Sequence, residues 1–152
     1  MKIIKLLILI FFCGLMLFGC LPDEKPNCTI DRVDGDPKNI LGTWQLVSKR
    51  YINQETGADI NVDFSCDGVF YQFLANGKFI VSGSNPEMPK YASDSYEFIF
   101  GGIKDEQPGN STLRLSQSIW PCLLESNRMV IDDRYVDGEK LVFYRVNDFT
   151  DI

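Results

Sequence analysis

The sequence predicts an all-β fold, an eight-stranded antiparallel up-and-down barrel, and two observations lead to it. From Gly42 onward, apolar residues recur at every second position, which is the side-chain period of a strand with one buried face. The segments between turn residues are short and rich in β-branched and aromatic side chains, as strands are. Eight such segments with short connections suit a barrel that closes on itself and leaves no exposed edge.

The strands are predicted where these runs lie. They cover residues 42–51, 69–75, 78–83, 93–100, 111–117, 119–125, 128–133 and 140–146. Asn76-Gly77 joins the second run to the third, and this dipeptide tolerates the positive φ of a two-residue hairpin turn. Asp137-Gly138 predicts another tight connection, between the last two strands.

Alternation also predicts which side chains face the interior, because residues i and i+2 share one face of a strand. The predicted inward set is Trp44, Leu46, Val69, Tyr71, Phe73, Phe79, Val81, Tyr96, Phe98, Phe100, Leu113, Leu115, Met129, Ile131, Leu141 and Phe143. The predicted outward set includes Gln45, Lys49, Gln72, Lys78, Glu97, Arg114, Ser116, Arg128 and Asp132. The second set is polar, as a face in water requires.

The first twenty residues resemble the signal of a bacterial lipoprotein. Lys2 and Lys5 precede an uncharged apolar run of 14 residues, 6–19, which is shorter than the roughly 20 that cross a bilayer as a helix. The run ends in LFGC at residues 17–20, which resembles the lipobox, whose cysteine is diacylated and becomes the new N-terminus. Residues 1–19 are therefore predicted to be a signal peptide and Cys20 the lipid attachment site, with a transmembrane anchor as the less favoured alternative.

Residues 20–39 are predicted to form an acidic tether between the lipid and the barrel domain, residues 40–152. The segment combines three prolines with five acidic residues, a composition that does not form a packed core. Residues 23–25, DEK, also resemble the export signals that send lipoproteins of the Bacteroidetes group to the outer face of the outer membrane, although a solvated linker explains them too. Residues 34–36, DGD, lack the twelve-residue loop of a calcium site, so a solvated turn is favoured.

Composition excludes several classes of function. The chain has no histidine, which excludes Ser-His and Cys-His nucleophile pairs, His-ligated zinc or haem and a histidine general base. The net charge is -6, and loss of the two lysines of residues 1–19 leaves -8, which disfavours binding to nucleic acid. Asp132 and Asp133 precede a turn, and turn chemistry explains these two carboxylates without a catalytic role. We therefore expect no enzyme activity, no cofactor and no metal site.

Three cysteines remain once the signal peptide and Cys20 are set aside: Cys28, Cys66 and Cys122. In an oxidising compartment, the simplest outcome is one disulfide and one free thiol. The preferred pair is Cys66 with Cys122, because both lie in the predicted folded part. The alternative uses Cys28 to clamp the tether onto the barrel. No catalytic thiol is expected, since no histidine is present to lower its pKa.

The opening of the first strand resembles a known family. Residues 42–44, GTW, resemble the lipocalin G-x-W signature, and residues 41–48, LGTWQLVS, are similar to the opening of lipocalin-like lipoproteins of Bacteroidetes. Further matches are YQF, NGK and VSG in the second and third strands and the ending from residue 129 to residue 146. The resemblance implies that Arg145 of the last strand stacks over Trp44 of the first as a structural plug, and the strand alternation agrees.

Two functions follow as expectations. The barrel and the resemblance predict that a small apolar or amphipathic ligand binds in the barrel mouth, at the end away from Trp44. The candidate lining residues are Tyr71, Phe73, Phe79, Tyr96 and Phe98. Plain core packing is the alternative for these residues, because a small barrel needs inward aromatic rings to fill it. The alternative function is a non-enzymatic interaction module or inhibitor that acts through surface loops such as residues 84–90.

Overall fold

The computed structural model describes residues 28–83, 85, 94–101, 111–115, 118–134 and 138–147. Within these ranges the chain forms nine β-strands, and no helix in them is long and apolar enough to cross a bilayer. The strands are β1 (Gly42–Ile52), β2 (Asp59–Asp63), β3 (Phe70–Phe73), β4 (Lys78–Ser82), β5 (Asp94–Ile99), β6 (Ser111–Leu115), β7 (Ser118–Leu124), β8 (Arg128–Asp132) and β9 (Lys140–Val146). The predicted signal peptide, Cys20, residue 84, residues 86–90 and Asp137 lie outside the described residues.

Eight of the nine strands close an antiparallel up-and-down barrel, as predicted. Each strand from β3 to β8 pairs with the next one along the chain, and β1 pairs with both β3 and β9. The closing contact runs along the first strand, from Thr43 opposite Val146 to Arg50 opposite Lys140. Gly77, in the turn between β3 and β4, has a φ of 77°, which fits the predicted hairpin.

The strand that alternation did not predict is β2. It pairs with the second half of β1, from Ser48 to Ile52, whereas β3 pairs with the first half, from Gly42 to Gln45. β2 and β3 therefore occupy one edge of β1 as a single interrupted strand, and residues 64–69 separate them. Phe64, the first residue of this interruption, is fully buried in the barrel core.

A β-bulge in β1 overturns one predicted face. The register against β9 shifts between Leu46 and Ser48, so Lys49 lies opposite the buried Leu141. The prediction that Lys49 faces outward is therefore wrong, because a bulge adds one residue and reverses the faces of everything beyond it. The Lys49 ammonium stays satisfied by an ion pair with Glu139 at 2.7 Å.

Phe100 is the one residue of the predicted inward set that lies outside. Its side chain is 49% exposed, because β5 ends at Ile99 and the chain turns at this point. The rest of the inward set is buried in the core or packed against it.

Residues 28–41, which we call the strap, run over the flank of the barrel and across the end that Trp44 occupies. A disulfide joins Cys28 to Cys66, with a Cα–Cα distance of 5.2 Å. Further along, the backbone N–H of Val33 donates to the carbonyl of Arg145 at 3.0 Å, and Ile40 is buried in the core. The part of the predicted tether from residue 28 onward is thus attached to the barrel.

The preferred disulfide, Cys66 with Cys122, is wrong, and the alternative clamp by Cys28 is confirmed. Cys122 lies on β7 with its side chain in the core, and its thiol is free. Cys66 is exposed, in the interruption between β2 and β3. The two thiols therefore lie on different sides of the barrel wall, which no strand pattern could show without the closed barrel.

Candidate functional site

Three of the five residues predicted to line a ligand site are core residues. Tyr71, Phe73 and Phe79 are at most 2% exposed. The ring of Tyr71 packs edge-to-face on Phe143 with centroids 4.9 Å apart, and the ring of Phe73 packs on Tyr96 at 5.0 Å. Such aromatic pairs are stabilising beyond the apolar area that they bury. Each of these rings therefore packs against another aromatic ring.

The other two candidates, Tyr96 and Phe98, are half-buried against the core. The Tyr96 hydroxyl donates to the carbonyl of Leu74 at 2.9 Å, and burial raises the pKa of Tyr96. Both residues belong to β5, whose described residues pair with β4 at two positions.

A groove of about 300 Å³ lies at this joint between β4 and β5. Its lining residues are Leu74, Lys78, Phe79, Ile80, Asp94 and Ser95. Phe79, one of the predicted lining residues, lines this groove and also belongs to the core.

The predicted plug of Trp44 and Arg145 is confirmed. The Arg145 guanidinium carbon lies 4.3 Å from the Trp44 ring centroid, and the Trp44 indole N–H donates to the carbonyl of Ile40 at 2.8 Å. Arg145 is 8% exposed and donates to the carbonyls of Leu41 at 2.8 Å and Asn39 at 2.7 Å. The buried cation is therefore held by strap carbonyls and a ring face, which makes it a structural element.

The DGD turn at residues 34–36 docks the strap onto this end of the barrel. The Asp34 carboxylate accepts hydrogen bonds from the Asn127 amide at 2.9 Å and the Ser126 hydroxyl at 3.2 Å, and the Gly35 N–H donates to the Ser126 carbonyl at 2.8 Å. A Cβ at Gly35 would lie 2.7 Å from the Arg145 guanidinium. Among the described residues, no three acidic or cysteine side chains gather as a metal site requires.

The outer face carries a second concave surface, which we call the charged groove. It has a volume of about 510 Å³ and spans β2, β1 and β9. Its lining residues are Ser48, Arg50, Asp59, Asn61, Lys140 and Val142. Arg50 forms an ion pair with Asp59, and Lys140 lies 3.5 Å from the carboxylate of Asp132 at its edge. The surface is polar and internally paired.

Ion pairing lowers the carboxyl pKa values around the charged groove. The hydrogen bond from Arg50 lowers the pKa of Asp59, and the hydrogen bond from Arg134, at 2.8 Å, lowers that of Asp132. Both carboxylates are therefore ionised at neutral pH. Exposed pairs of this kind contribute little to stability and rearrange readily when another charge approaches.

Of two features that position these surfaces, one could have been found in the sequence. Ile60, Val62 and Phe64 alternate with polar residues, which is the strand signal, although the run is short and lies between two turn clusters. The docking of the strap had no such signal, because the partners of Asp34 lie more than ninety positions away, at separations of 92 and 93 residues. Within the predicted interaction loop, residues 84–90, the structure describes Asn85. Its side-chain amide donates to the Asp67 carboxylate at 2.6 Å.

Comparison of the chain with known protein families, with curated proteins and with solved structures gave no match. The resemblance to lipocalin-like lipoproteins therefore rests on the residues quoted above.

Proposed function

We propose that this is a lipid-anchored protein of the bacterial outer membrane, and that its lipocalin-like barrel is a non-enzymatic interaction module that binds a partner through its outer surface. The observation that carries the proposal is the filled interior: Tyr71, Phe73 and Phe79 pack against one another and their neighbours. A carrier barrel keeps its aromatic rings free to contact a ligand, and these rings are already in mutual contact.

The outer surface supports the proposal in a second way. The strap, the disulfide and the plug hold the barrel as a rigid scaffold, on which exposed loops and grooves can present a fixed shape to a partner. The charged groove presents cations and carboxylates whose exposed pairs exchange readily for pairs with a partner. The acidic net charge argues against nucleic acid as that partner.

Apolar dye titration and native mass spectrometry of the chain without residues 1–20 test the filled interior. We expect no dye bound in a defined ratio and no co-purified apolar compound. Stoichiometric dye binding that is lost in Phe98→Trp and kept in the exposed control Phe100→Trp would overturn the proposal in favour of a carrier. The role of the charged groove in binding is then tested by a pull-down from envelope extract. The Arg50→Glu, Lys140→Glu double variant should recover less partner than the wild-type chain.

Metabolic labelling with a palmitate analogue tests the anchor. We expect label on the wild-type chain and on the control Cys13→Ala, whose cysteine lies inside the signal peptide, and none on Cys20→Ala. If Cys20→Ala still takes up label and stays in the membrane fraction, the anchor is elsewhere.

Binding of a small apolar ligand remains the second candidate function. The observation that favours it is the groove at the β4–β5 joint, where the core residue Phe79 lines the wall. The Phe98→Trp and Phe100→Trp pair decides between the two candidates.

A further inference from the structure

The disulfide of the strap has a geometric consequence for a lipid-anchored chain. The strap reaches the barrel at Cys28, on the flank formed by β9, β1 and the interruption between β2 and β3. There Arg32 lies over the Tyr144 ring, with the guanidinium carbon 3.4 Å from the centroid. A groove of about 350 Å³ on this flank is lined by Cys28, Thr29, Ile30 and Arg32 of the strap and by Val47, Asp63, Ser65 and Tyr144. We call this surface the strap flank.

We propose that the Cys28–Cys66 disulfide holds the strap flank against the lipid surface and directs the opposite flank, strands β5 to β7, away from the membrane. The inference rests on the lipid anchor at Cys20 of the proposed function. It names the surface that faces lipid and the surface that a soluble partner can reach.

The length of the tether carries the proposal. With the disulfide in place, seven residues lie between Cys20 and the first point of attachment at Cys28, so the tether spans eight Cα-to-Cα steps. Fully extended, it reaches about 28 Å. A domain with a radius of gyration of about 13 Å is roughly 33 Å across, so the tether at full reach is shorter than the barrel domain is wide. The strap flank therefore cannot face directly away from the bilayer.

Without the disulfide, the backbone hydrogen bond from the Val33 N–H to the Arg145 carbonyl still holds the strap. The tether from Cys20 to Val33 spans 13 Cα-to-Cα steps and reaches about 45 Å. The exposed disulfide therefore decides whether the strap flank is held close to the membrane or the barrel can reorient.

Charge does not replace the disulfide in this role. Asp31 and Asp63 lie exposed on or next to the strap flank, and anionic lipid headgroups repel such carboxylates. The orientation is thus a property of the covalent link, and breaking the link releases it.

The full lipoprotein, purified from membranes and placed in vesicles that carry a quencher on their headgroups, tests the orientation. A fluorophore is introduced through an unnatural amino acid either at Asp63, on the strap flank, or at Arg114, on the outer face of β6. We expect stronger quenching at position 63 than at position 114. The difference should be lost in the Cys28→Ser, Cys66→Ser double variant.

A second variant keeps the disulfide and so guards against misfolding of the first. Twelve Gly/Ser residues inserted between residues 27 and 28 lengthen the tether, and the difference should again be lost. The same insertion after Gly57, in the exposed turn between β1 and β2, should leave it unchanged. Equal quenching at both positions in the unmodified protein overturns the orientation while the anchor stands. A protein that does not float with the vesicles overturns the anchor, and the orientation with it.

Discussion

Two arginines at opposite ends of the barrel show how differently the same side chain is used. Arg145 is 8% exposed, donates to backbone carbonyls of the strap and covers the Trp44 ring. Arg50 has a side chain that is 50% exposed and pairs with the carboxylate of Asp59 on the outer face. The Arg50–Asp59 pair joins opposite charges, but water screens it. The buried Arg145 cation, in contrast, has no water to replace its partners. The strap end should therefore dominate stability, and the charged groove should be free to serve binding.

The largest effect is expected from Trp44→Ala. Removal of this fully buried ring leaves a cavity between the strap and the barrel and takes away the platform of Arg145, which should lower the free energy of unfolding by about 3 to 5 kcal/mol. Denaturant unfolding measures it, with the exposed Phe100→Ala as the control, for which a change within about 0.5 kcal/mol is expected. Equal losses in the two proteins would contradict the assignment of the plug.

Loss of the disulfide should come next. The Cys28–Cys66 bond closes a loop of 38 residues, for which chain entropy gives about 3 to 4 kcal/mol. Unfolding under oxidising and reducing conditions measures the contribution, and Cys28→Ser should remove the dependence on reductant.

The matched control for the disulfide is Cys122→Ala, which should keep the full dependence on reductant. Burial raises the pKa of the Cys122 thiol to about 12, so this thiol stays protonated at neutral pH and should resist alkylation in the folded chain. Rapid native labelling of Cys122 would contradict its place in the core.

Arg145→Ala should have a smaller effect than Trp44→Ala. It leaves the strap carbonyls of Leu41 and Asn39 without their charged donor, a loss of about 2 to 3 kcal/mol. A double-mutant cycle with Trp44→Ala should give a coupling energy of about 0.5 to 2 kcal/mol for the stacked pair. A coupling of zero would mean that the two side chains do not interact in solution.

Gly35→Ala sharpens the same comparison by adding a single methyl group. Its Cβ would meet the Arg145 guanidinium at 2.7 Å, and such overpacking costs about 1 to 3 kcal/mol. In an Arg145→Ala background the obstacle is absent, so the cost should disappear. A cost that persists in the double variant would point to the backbone of the strap instead.

The smallest effects are expected at the charged groove. Arg50→Gln should leave the unfolding free energy unchanged within error, because the pair is exposed. The lowered pKa of Asp132 stabilises the fold at pH values above its ordinary value near 4, and this stabilisation should fade as the pH falls through the lowered pKa of the folded state. Stability measured across acid pH should show the slope, and Arg134→Gln should reduce it.

Much of the barrel was predictable because side-chain alternation is local. The bounds of β9 match the predicted run from residue 140 to residue 146, and Trp44 and Arg145 meet because closure of the sheet brings the first and last strands together. Alternation failed where the count of residues changed: one extra residue at the bulge after Leu46 turned Lys49 inward. A bulge leaves no reliable mark in composition, so its position could not be inferred.

The sequence by itself determined the period of the strands, the turn at Gly77 and the set of aromatic rings that must be covered, since these follow from neighbours along the chain. Only the tertiary structure decided which thiol meets Cys66, where the strap docks and which rings pack against one another. Each of these depends on residues far apart in the chain reaching the same side of a closed wall. Cys28 reaches Cys66 outside the barrel, while Cys122 stays within it. Close packing inside so small a barrel left Tyr71, Phe73 and Phe79 in contact with other rings.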